Sequence, residues 1–272
     1  MRNFFRKYSP AFIASVIILG FLLILSCMPT PLDPEAQNLM NRFQPPDWRF
    51  IQGVHPLGTD FLGRDMLSRM MSGIRISFFI AFLGTVIGAV LGTILGYVSA
   101  KRSGLVDETI MMMVDIQASL PFLIIAIAFV SMFKNSFMVI VILLGFAGWE
   151  KYARLTRGLS LSALNQGYAI ALKTIGASPN RVFFRHILPN ISSTLIVNMT
   201  LNFPGTMIAE SSLSFLGLGI QPPYISLGRL LGEGRVYLLT AWWIAIIPGL
   251  VIFISALAIT LIGDSFRDLL LD

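Results

Sequence analysis

The residues that could carry out chemistry are few and lie far apart in the sequence. One cysteine, Cys27, cannot form an internal disulfide or a thiolate metal cluster, and the two histidines are too distant from each other to suggest a local metal site. No lysine follows a glycine, so the Gly-Lys of a phosphate-binding P-loop is absent, as are His-Glu-x-x-His and Gly-x-Ser-x-Gly. We therefore expect no catalytic residue, cofactor or metal in this chain, and any ATP that it uses must be bound by another chain.

The composition indicates the solvent that surrounds the chain. Of its 272 residues, 55% are hydrophobic and 12% are charged, with a mean hydropathy of +0.77. Soluble chains carry about 25% charged residues, and the apolar residues here form long blocks. The pattern predicts an all-α polytopic membrane protein in a lipid bilayer. The net charge of +6 is then a matter of membrane topology and does not indicate nucleic acid binding.

Six apolar blocks are candidates for membrane spans, which need about 20 residues each. They cover residues 10–28, 76–100, 116–133, 137–149, 187–209 and 238–262, and the fourth looks short by itself. Cytoplasmic loops collect Lys and Arg, so Lys101, Arg102 and the cations from Lys151 to Arg185 all belong on the cytoplasmic side. That placement requires a hairpin of two spans between the two groups. We predict six spans with both termini in the cytoplasm.

The predicted spans hold few ionisable side chains. Asp115, Glu150 and Glu210 lie at span ends, where each can reach an interface. Transporters driven by ion gradients usually bury such residues as relays. A gradient-driven transporter or channel is therefore the weaker alternative, and no polar set within the spans indicates an intramembrane enzyme.

A stripe of glycines lies on one face of the second span, because its members are four residues apart. They are Gly84, Gly88, Gly92 and Gly96. A face without side chains allows another helix backbone to approach closely. The stripe predicts a tight interface, either within this chain or with a partner chain.

The polar stretch after the fourth span contains a short predicted helix. Residues 166–176 end in Gly176, and Pro179 follows, as is typical beyond a helix C-terminus. Apolar residues at helical spacing would form one face of this helix: Tyr168, Ala171, Leu172 and Ile175. Nearby cations are Lys173, Arg181 and Arg185. The face would lie either in a groove of a partner protein or in the lipid interface, with the cations at anionic headgroups.

Three stretches carry a resemblance to a known family. Tyr168-Ala-Ile-Ala-Leu-Lys-Thr-Ile-Gly-Ala-Ser178, followed by Arg185-His-Ile-Leu-Pro-Asn190, resembles the EAA loop of permease subunits in bacterial ABC importers. Two others resemble the second permease of dipeptide, oligopeptide and nickel systems. They are His55-Pro-Leu-Gly-Thr-Asp-Phe-Leu-Gly-Arg-Asp-Met-Leu-Ser-Arg69 and Ala209-Glu-Ser-Ser-Leu-Ser-Phe-Leu-Gly-Leu-Gly-Ile-Gln-Pro-Pro223, with Gly263-Asp-Ser-Phe-Arg-Asp268 near the end.

The resemblance implies a MetI-like permease fold with six transmembrane helices. Residues 1–75 would form an N-terminal helix and an outer segment, and 76–272 the ABC transmembrane domain with a coupling loop at 150–187. It also implies a complex in the cytoplasmic membrane of a bacterium or archaeon. The implied partners are a homologous second permease, two cytoplasmic ABC ATPases and an extracellular solute-binding protein.

On the same resemblance, the short helix at 166–176 is the coupling helix that docks into an ATPase groove. The residues that map onto this motif are Tyr168, Ala171, Leu172, Lys173, Gly176, Ala177, Leu188 and Pro189. Ala171 and Gly176 keep the small residues of the motif, which allow close approach. Ile170 and Leu172 replace its Glu and second Ala, so Lys173 or Arg181 becomes a candidate for charge contacts with the ATPase.

The outer segments are too polar to span a membrane. In the segment from Pro29 to Arg75, the spacing of Asp60, Arg64 and Asp65 predicts Asp–Arg pairs that fix its fold. By resemblance this surface also receives the binding protein. The stretch from 211 to 240 is expected to line an extracellular gate, with Gln221 and Glu233 as the candidate residues.

The expected function is that of a permease subunit in an ATP-driven importer of di- or oligopeptides, working by alternating access. Such a subunit is not an enzyme. Nickel or a metal chelate is the alternative cargo within the same family.

Overall fold

The computed structural model describes residues 10–47, 55–133 and 135–271, so residues 1–9 and 48–54 of the predicted N-terminal unit lie outside the described part. In these ranges the regular structure is helical, apart from a β-bridge between Thr59 and Asp65, and the predicted all-α class is confirmed. The helices are α1 (Pro10–Cys27), α2 (Met66–Lys101), α3 (Leu105–Ser119), α4 (Phe122–Phe133), α5 (Phe137–Phe146), α6 (Trp149–Leu164), α7 (Gly167–Thr174), α8 (Pro179–Val182), α9 (Leu188–Phe215), α10 (Leu227–Gly234) and α11 (Trp243–Leu271). Short 3-10 turns at Leu39–Asn41 and Arg235–Tyr237 and a π-helical turn at Phe183–Ile187 complete the set.

Several helices have the length and composition of membrane spans. Within the described ranges, α1, α2 and α11 each qualify by themselves. Helices α3 and α4 qualify as a pair that is bent by 98°, and Pro121, which cannot donate a backbone hydrogen bond, lies at the bend. Helix α9 contains 28 residues and is therefore about 42 Å long. Multiple membrane helices are thus confirmed, whereas the count of six spans stays a prediction.

Helix α2 is the axis of the molecule. Its 36 residues give it a length of about 54 Å. Asp65 caps its N-terminus, because the carboxylate accepts a hydrogen bond from the backbone N–H of Ser68 at 2.8 Å. Beyond Lys101 the chain turns at Gly104, whose φ of +78° favours glycine, and enters α3. We refer to the two ends of α2 as the Met66 end and the Lys101 end, the second being the predicted cytoplasmic one.

The glycine stripe of α2 faces α5 and α6 of the same chain. A Cβ atom added to any of the four glycines would meet an atom of this neighbour at about 3 Å or less, closer than nearly all Cβ contacts in proteins. Such a Cβ would lie 3.0 Å from Leu144 Cβ at Gly84, 2.9 Å from the Gly145 carbonyl oxygen at Gly88, 2.7 Å from Tyr152 Cβ at Gly92 and 2.9 Å from Thr156 Cβ at Gly96. The carbonyl oxygens of Trp149 and Ala153 would lie closer still at Gly92 and Gly96. Only glycine therefore lets the two backbones meet. The stripe forms an interface within the chain.

The residue numbers of these pairs rise in the same direction in α2 and in α5 and α6. Helices α5 and α6 therefore run parallel to α2 as one interrupted helix. The interruption lies at Ala147 and Gly148, between the end of α5 and the start of α6. The predicted fourth span ended at Trp149, but the structure continues the same path through α6. The fourth apolar block looked short because the second half of the interrupted helix, α6, is polar. Part of the segment predicted as a cytoplasmic loop therefore lies along α2.

The polar side chains of α6 find partners on α3. Arg157 donates two hydrogen bonds to Asp107, both at 2.6 Å. Arg154 likewise donates to Asp115 at 2.6 Å, and Gln117 donates to Glu150 at 3.3 Å. These contacts join α3 to α6; the Arg157–Asp107 pair is partly buried, whereas the Arg154–Asp115 pair is largely exposed.

The depth of Glu150 and Lys151 follows from the same contacts. Both residues lie between Trp149 and Tyr152, which contact Gly92, nine residues before Lys101. At 1.5 Å per residue, they stand roughly 13 Å above the Lys101 end of α2. Because α2 is about 54 Å long and the hydrocarbon core of a bilayer is about 30 Å thick, this level is compatible with a position near the interface, and the expectation that Glu150 lies at a span end stays a prediction.

The remaining long helices pack on the other side of α2. Buried apolar side chains from α1, α2, α9, α10 and α11 form one core there: Leu22, Met70, Ile74, Phe78, Ala81, Met207, Leu227, Leu230, Ile252 and Ile259. Helix α2 thus has the interrupted helix on its glycine face and the larger apolar core on the opposite face.

The glycine contact makes a direct prediction about stability. Gly92→Ala places a methyl group against the α6 backbone, and we expect it to destabilise the protein by about 1–3 kcal/mol because neither backbone can move freely. The midpoint of thermal unfolding of the purified protein measures the effect. Gly20→Ala is the matched control, since a Cβ at Gly20 in α1 meets no atom within 4 Å. Equal midpoints for the two variants would contradict the close contact.

Candidate functional site

A compact segment of short helices lies next to the Lys101 end of α2; we call residues 167–189 the 167–189 segment. Helix α7 opens it and ends at Thr174, and the chain turns at Gly176, whose φ is +81°. The backbone N–H of Ala177 donates to the carbonyl of Leu172 at 3.0 Å, which closes the helix in a Schellman motif. Ser178 then caps α8, and its hydroxyl accepts from the N–H of Arg181. The predicted short helix with its glycine stop is present.

The two faces of α7 have different environments. Tyr168, Ala171 and Ile175 point outward, and Ile175 is 78% exposed. Leu172 is instead half-buried on the inner face, next to the fully buried Ala169. The predicted apolar face is therefore corrected at Leu172: the helix needs inward apolar side chains to hold it to the protein, and this residue supplies one.

The inner face rests on an apolar cluster. Its buried members include Ala169, Val182, Phe183 and Ile187, and the half-buried Leu172, Ala177 and Leu188 pack against them. Gly176 and Pro189 are exposed, and no atom lies within 4 Å of a Cβ built at Gly176. The exposed cations Arg181 and Arg185 lie on the same segment, whereas the side chain of Lys173 lies outside what the structure describes. The segment thus presents an apolar and basic outer surface on a fixed base.

Tyr97 of α2 holds the 167–189 segment in place. Its ring stacks on that of Phe183, with centroids 3.7 Å apart, and its hydroxyl donates to Asn180 Oδ1 at 2.8 Å. The Lys101 ammonium donates to the same Asn180 oxygen at 2.8 Å. An aromatic stack and two hydrogen bonds therefore join the segment to α2.

A cavity of about 230 Å³, lined by apolar residues and a few polar side chains, lies between α2, the interrupted helix and α9, and we call it the Lys151 cavity. Its polar side chains are Thr85, Lys151, Tyr152, Asn202 and Thr206. The Lys151 ammonium donates to Asn202 Oδ1 at 3.5 Å, and the Thr85 hydroxyl donates to Thr206 at 3.3 Å. The cavity lies at the depth where the glycine stripe holds α6 against α2. It could accept a small polar group.

At the Met66 end, charged side chains form a buried cluster that we call the Arg69 cluster. Its members are Glu35, Asp60, Arg64, Arg69, Arg229 and Glu233. Arg69 is fully buried and donates to Asp60 at 2.5 Å and to Glu233 at 3.0 Å. Arg64 donates to Asp60 at 2.7 Å. The predicted pairing of Asp60 with Arg64 is present, while Asp65 instead caps α2 and accepts from His55 at 3.0 Å.

The two candidate gate residues have different surroundings. Gln221 is exposed and donates from Nε2 to the carbonyls of Gly217 and Gly219. Glu233 accepts from three arginines of the Arg69 cluster, which ties α10 to the outer segment. A gating role for either residue stays a prediction. In the described ranges, no group of three or more His, Cys, Asp or Glu side chains is arranged to hold a metal ion.

Sequence reasoning missed four residues of these sites. Arg69 pairs with Glu233, which lies 164 positions away, and Tyr97 binds Asn180 at a separation of 83. Lys151 was assigned to a loop. The available signal that Lys151 belongs to a packed helix was its position next to Glu150, in a stretch that packs against the glycine stripe of α2. Asn202 carried no signal in the sequence, because its role depends on the placement of α9.

Comparison with known proteins gives a consistent result. The family model described as "Binding-protein-dependent transport system inner membrane component" matches residues 88–271. The chain is 36% identical to the di/tripeptide transport system permease protein DppC of Pseudomonas aeruginosa, over 94% of this chain and 84% of the relative. It is also 36% identical to the dipeptide transport system permease protein DppC of Haemophilus influenzae, over 98% and 92%. Identity to the oligopeptide transport system permease protein OppC of Bacillus subtilis is 34%, over 98% and 86%.

The Arg69 cluster makes a prediction about stability. Asp60→Asn leaves Arg69 buried beside an uncharged amide, and we expect it to destabilise the protein by about 3 kcal/mol. Asp115→Asn removes the same kind of partner from Arg154, but the Asp115 side chain is 71% exposed against 2% for Asp60, so a small effect is expected there. Thermal unfolding of both purified variants compares them. A loss for Asp115→Asn as large as that for Asp60→Asn would contradict a special role for the buried cluster.

Proposed function

The chain belongs to the family of binding-protein-dependent transport system inner membrane components, and we propose that it is the permease subunit of an ATP-driven importer of di- or oligopeptides. The observation that carries the proposal is the exposed outer surface of the 167–189 segment, which is fixed to the Lys101 end of α2. The names of the relatives support peptides as the cargo.

The proposed complex divides the work among several chains. A homologous second permease completes the path across the membrane, two ABC ATPases bind and hydrolyse ATP in the cytoplasm, and an extracellular solute-binding protein delivers the peptide. The chain itself is a transport subunit and not an enzyme. It lies in the cytoplasmic membrane of a bacterium or archaeon, with both termini and the Lys101 end of α2 on the cytoplasmic side.

The outer surface of the 167–189 segment suits a groove in an ATPase. Tyr168, Ile175 and Phe184 expose apolar area there, and Arg181 and Arg185 add positive charge. Gly176 leaves open space in front of the backbone, so a partner can approach closely. Of the two environments, a protein groove and the lipid interface, we propose the protein groove, and the association of the ATPases with the Ile175→Asp variant described below tests that choice.

The contacts on α2 supply the path from ATP to the membrane interior. Closure of the ATPase pair moves the 167–189 segment, and the Tyr97–Phe183 stack passes that movement to α2. Because α2 contacts α5 and α6 through glycines, the interrupted helix moves with it and the Lys151 cavity changes its exposure. Changing the population from 1:99 to 99:1 requires ATP to favour one state by roughly 5.5 kcal/mol.

The Met66 end supports the proposed docking of the binding protein. The Arg69 cluster joins the outer segment, α2 and α10 through buried ion pairs, so the outer surface is held as one unit. A binding protein that presses on this surface therefore acts on α2 directly. Gln221 is exposed and lies a few residues before α10 in the sequence, and it stays the candidate gate residue. The three arginine partners of Glu233 favour a structural role for Glu233.

Docking through the 167–189 segment is testable by introducing a charge on its outer surface. Ile175→Asp buries a carboxylate in an apolar groove if the proposal holds, and we expect at least about a tenfold weaker association with the ATPases. Co-purification of the ATPases with the tagged chain from its native membrane measures the association, and uptake of a labelled dipeptide should fall in parallel.

Leu105→Asp is the matched control for this experiment. Leu105 is 81% exposed at the start of α3, near the same end of α2 but outside the 167–189 segment. We expect the control to retain the ATPases. Full retention by Ile175→Asp, or equal loss from both variants, would refute docking through this surface.

A further inference from the structure

Lys151 occupies an unusual position for a lysine. It lies on α6 at the level of Gly92, roughly 13 Å from the Lys101 end of α2, and its side chain is exposed. Charged side chains on the helices of membrane proteins usually face a protein interior or a water-filled cavity and have a partner there. Lys151 lines the Lys151 cavity, so its exposed ammonium is available to a group that enters there.

The ammonium of Lys151 has unused hydrogen-bonding capacity. It carries three N–H donors, and among the described residues its side-chain acceptor is Asn202 Oδ1 at 3.5 Å, a long hydrogen bond. No carboxylate of the described residues lies within 4.0 Å of it. By contrast, the neighbouring cations of α6 are paired: Arg154 with Asp115 and Arg157 with Asp107.

The cavity has a positive character. Lys151 is the only Lys, Arg, Asp, Glu or His among the described residues that line it. Glu150 is adjacent in sequence, but it is buried and accepts a hydrogen bond from Gln117 of α3, away from the cavity. Asn202, Thr85 and Thr206 add neutral hydrogen-bonding groups on the facing helices. This combination suits an anionic group with nearby polar atoms.

Glycines keep the cavity open. A Cβ at Gly205 would meet no atom within 4 Å, and one at Gly148 would meet a single carbonyl oxygen at 3.8 Å. Both residues line the cavity, so space remains where most side chains would fill it. A volume of about 230 Å³ is smaller than that of complete small-molecule sites, which suits one end of a larger ligand.

We propose that the Lys151 cavity is a subsite for the C-terminal carboxylate of a peptide in transit, with Lys151 as the charged contact and Asn202 as its neutral neighbour. The inference rests on the proposed function, because it assumes that peptides cross beside this chain. A carboxylate accepts charge-assisted hydrogen bonds from the ammonium, and the second permease closes the open side of the cavity around the rest of the peptide.

The test compares two forms of one dipeptide in proteoliposomes that contain the complete importer. One form has a free C-terminal carboxylate and the other a C-terminal amide, each supplied at a concentration that saturates the binding protein. The wild-type complex should transport the free acid faster. In Lys151→Gln, the preference for the acid over the amide should fall about tenfold, whereas Lys151→Arg should retain most of it. Arg102→Gln removes a cation that does not line the cavity and should leave the preference unchanged.

Two results would overturn the subsite. An unchanged acid-to-amide preference in Lys151→Gln would show that the ammonium does not contact the carboxylate. Loss of the second permease from purified Lys151→Gln complexes would show instead that Lys151 pairs with an acid of that partner. Failure of the wild-type complex to transport either peptide would refute the proposed function itself. That outcome concerns the wild-type complex, so it is distinct from the two results for Lys151→Gln.

Discussion

The close backbone contact along Gly84, Gly88, Gly92 and Gly96 is the interaction on which the rest of the structure depends. It brings α6 against α2, although α6 carries polar and charged residues that apolar helices would otherwise exclude. The ion pairs with α3 compensate two of these charges, and the Lys151 cavity accommodates another. A bulkier side chain at Gly92 or Gly96 would push α6 outward, and one at Gly84 or Gly88 would push against α5 and the cavity beside it.

Helix α2 also connects the regions that matter for transport. The Arg69 cluster holds its Met66 end, the Lys151 cavity lies along its middle, and Tyr97 and Lys101 hold the 167–189 segment at the other end. A single rigid helix of about 54 Å therefore links the outer surface to the proposed ATPase contact. In the proposed mechanism, a movement of this one helix displaces all three regions at once.

The sequence allowed the main helices and the glycine stripe to be predicted, since hydropathy and four-residue spacing are local signals. The path of α6 was misjudged because its polar residues are compensated by Asp107, Asp115 and Gln117 of another helix, which hydropathy does not record. Leu172 was placed on the wrong face of α7, since its direction depends on the cluster beneath it. Arg69, Tyr97 and Lys151 act through partners that are distant in sequence or, for Lys151, through a cavity that forms only after folding.

The central claim is that α2 ties the exposure of the Lys151 cavity to the state of the ATPases. The most direct measurement uses the complete importer with Cys27→Ser, which removes the native cysteine, and Gly205→Cys in the open part of the cavity. A water-soluble maleimide applied from the cytoplasmic side should label the new cysteine without nucleotide, and trapping the ATPases with ATP and vanadate should protect it. Equal labelling rates in the two states would contradict the claim.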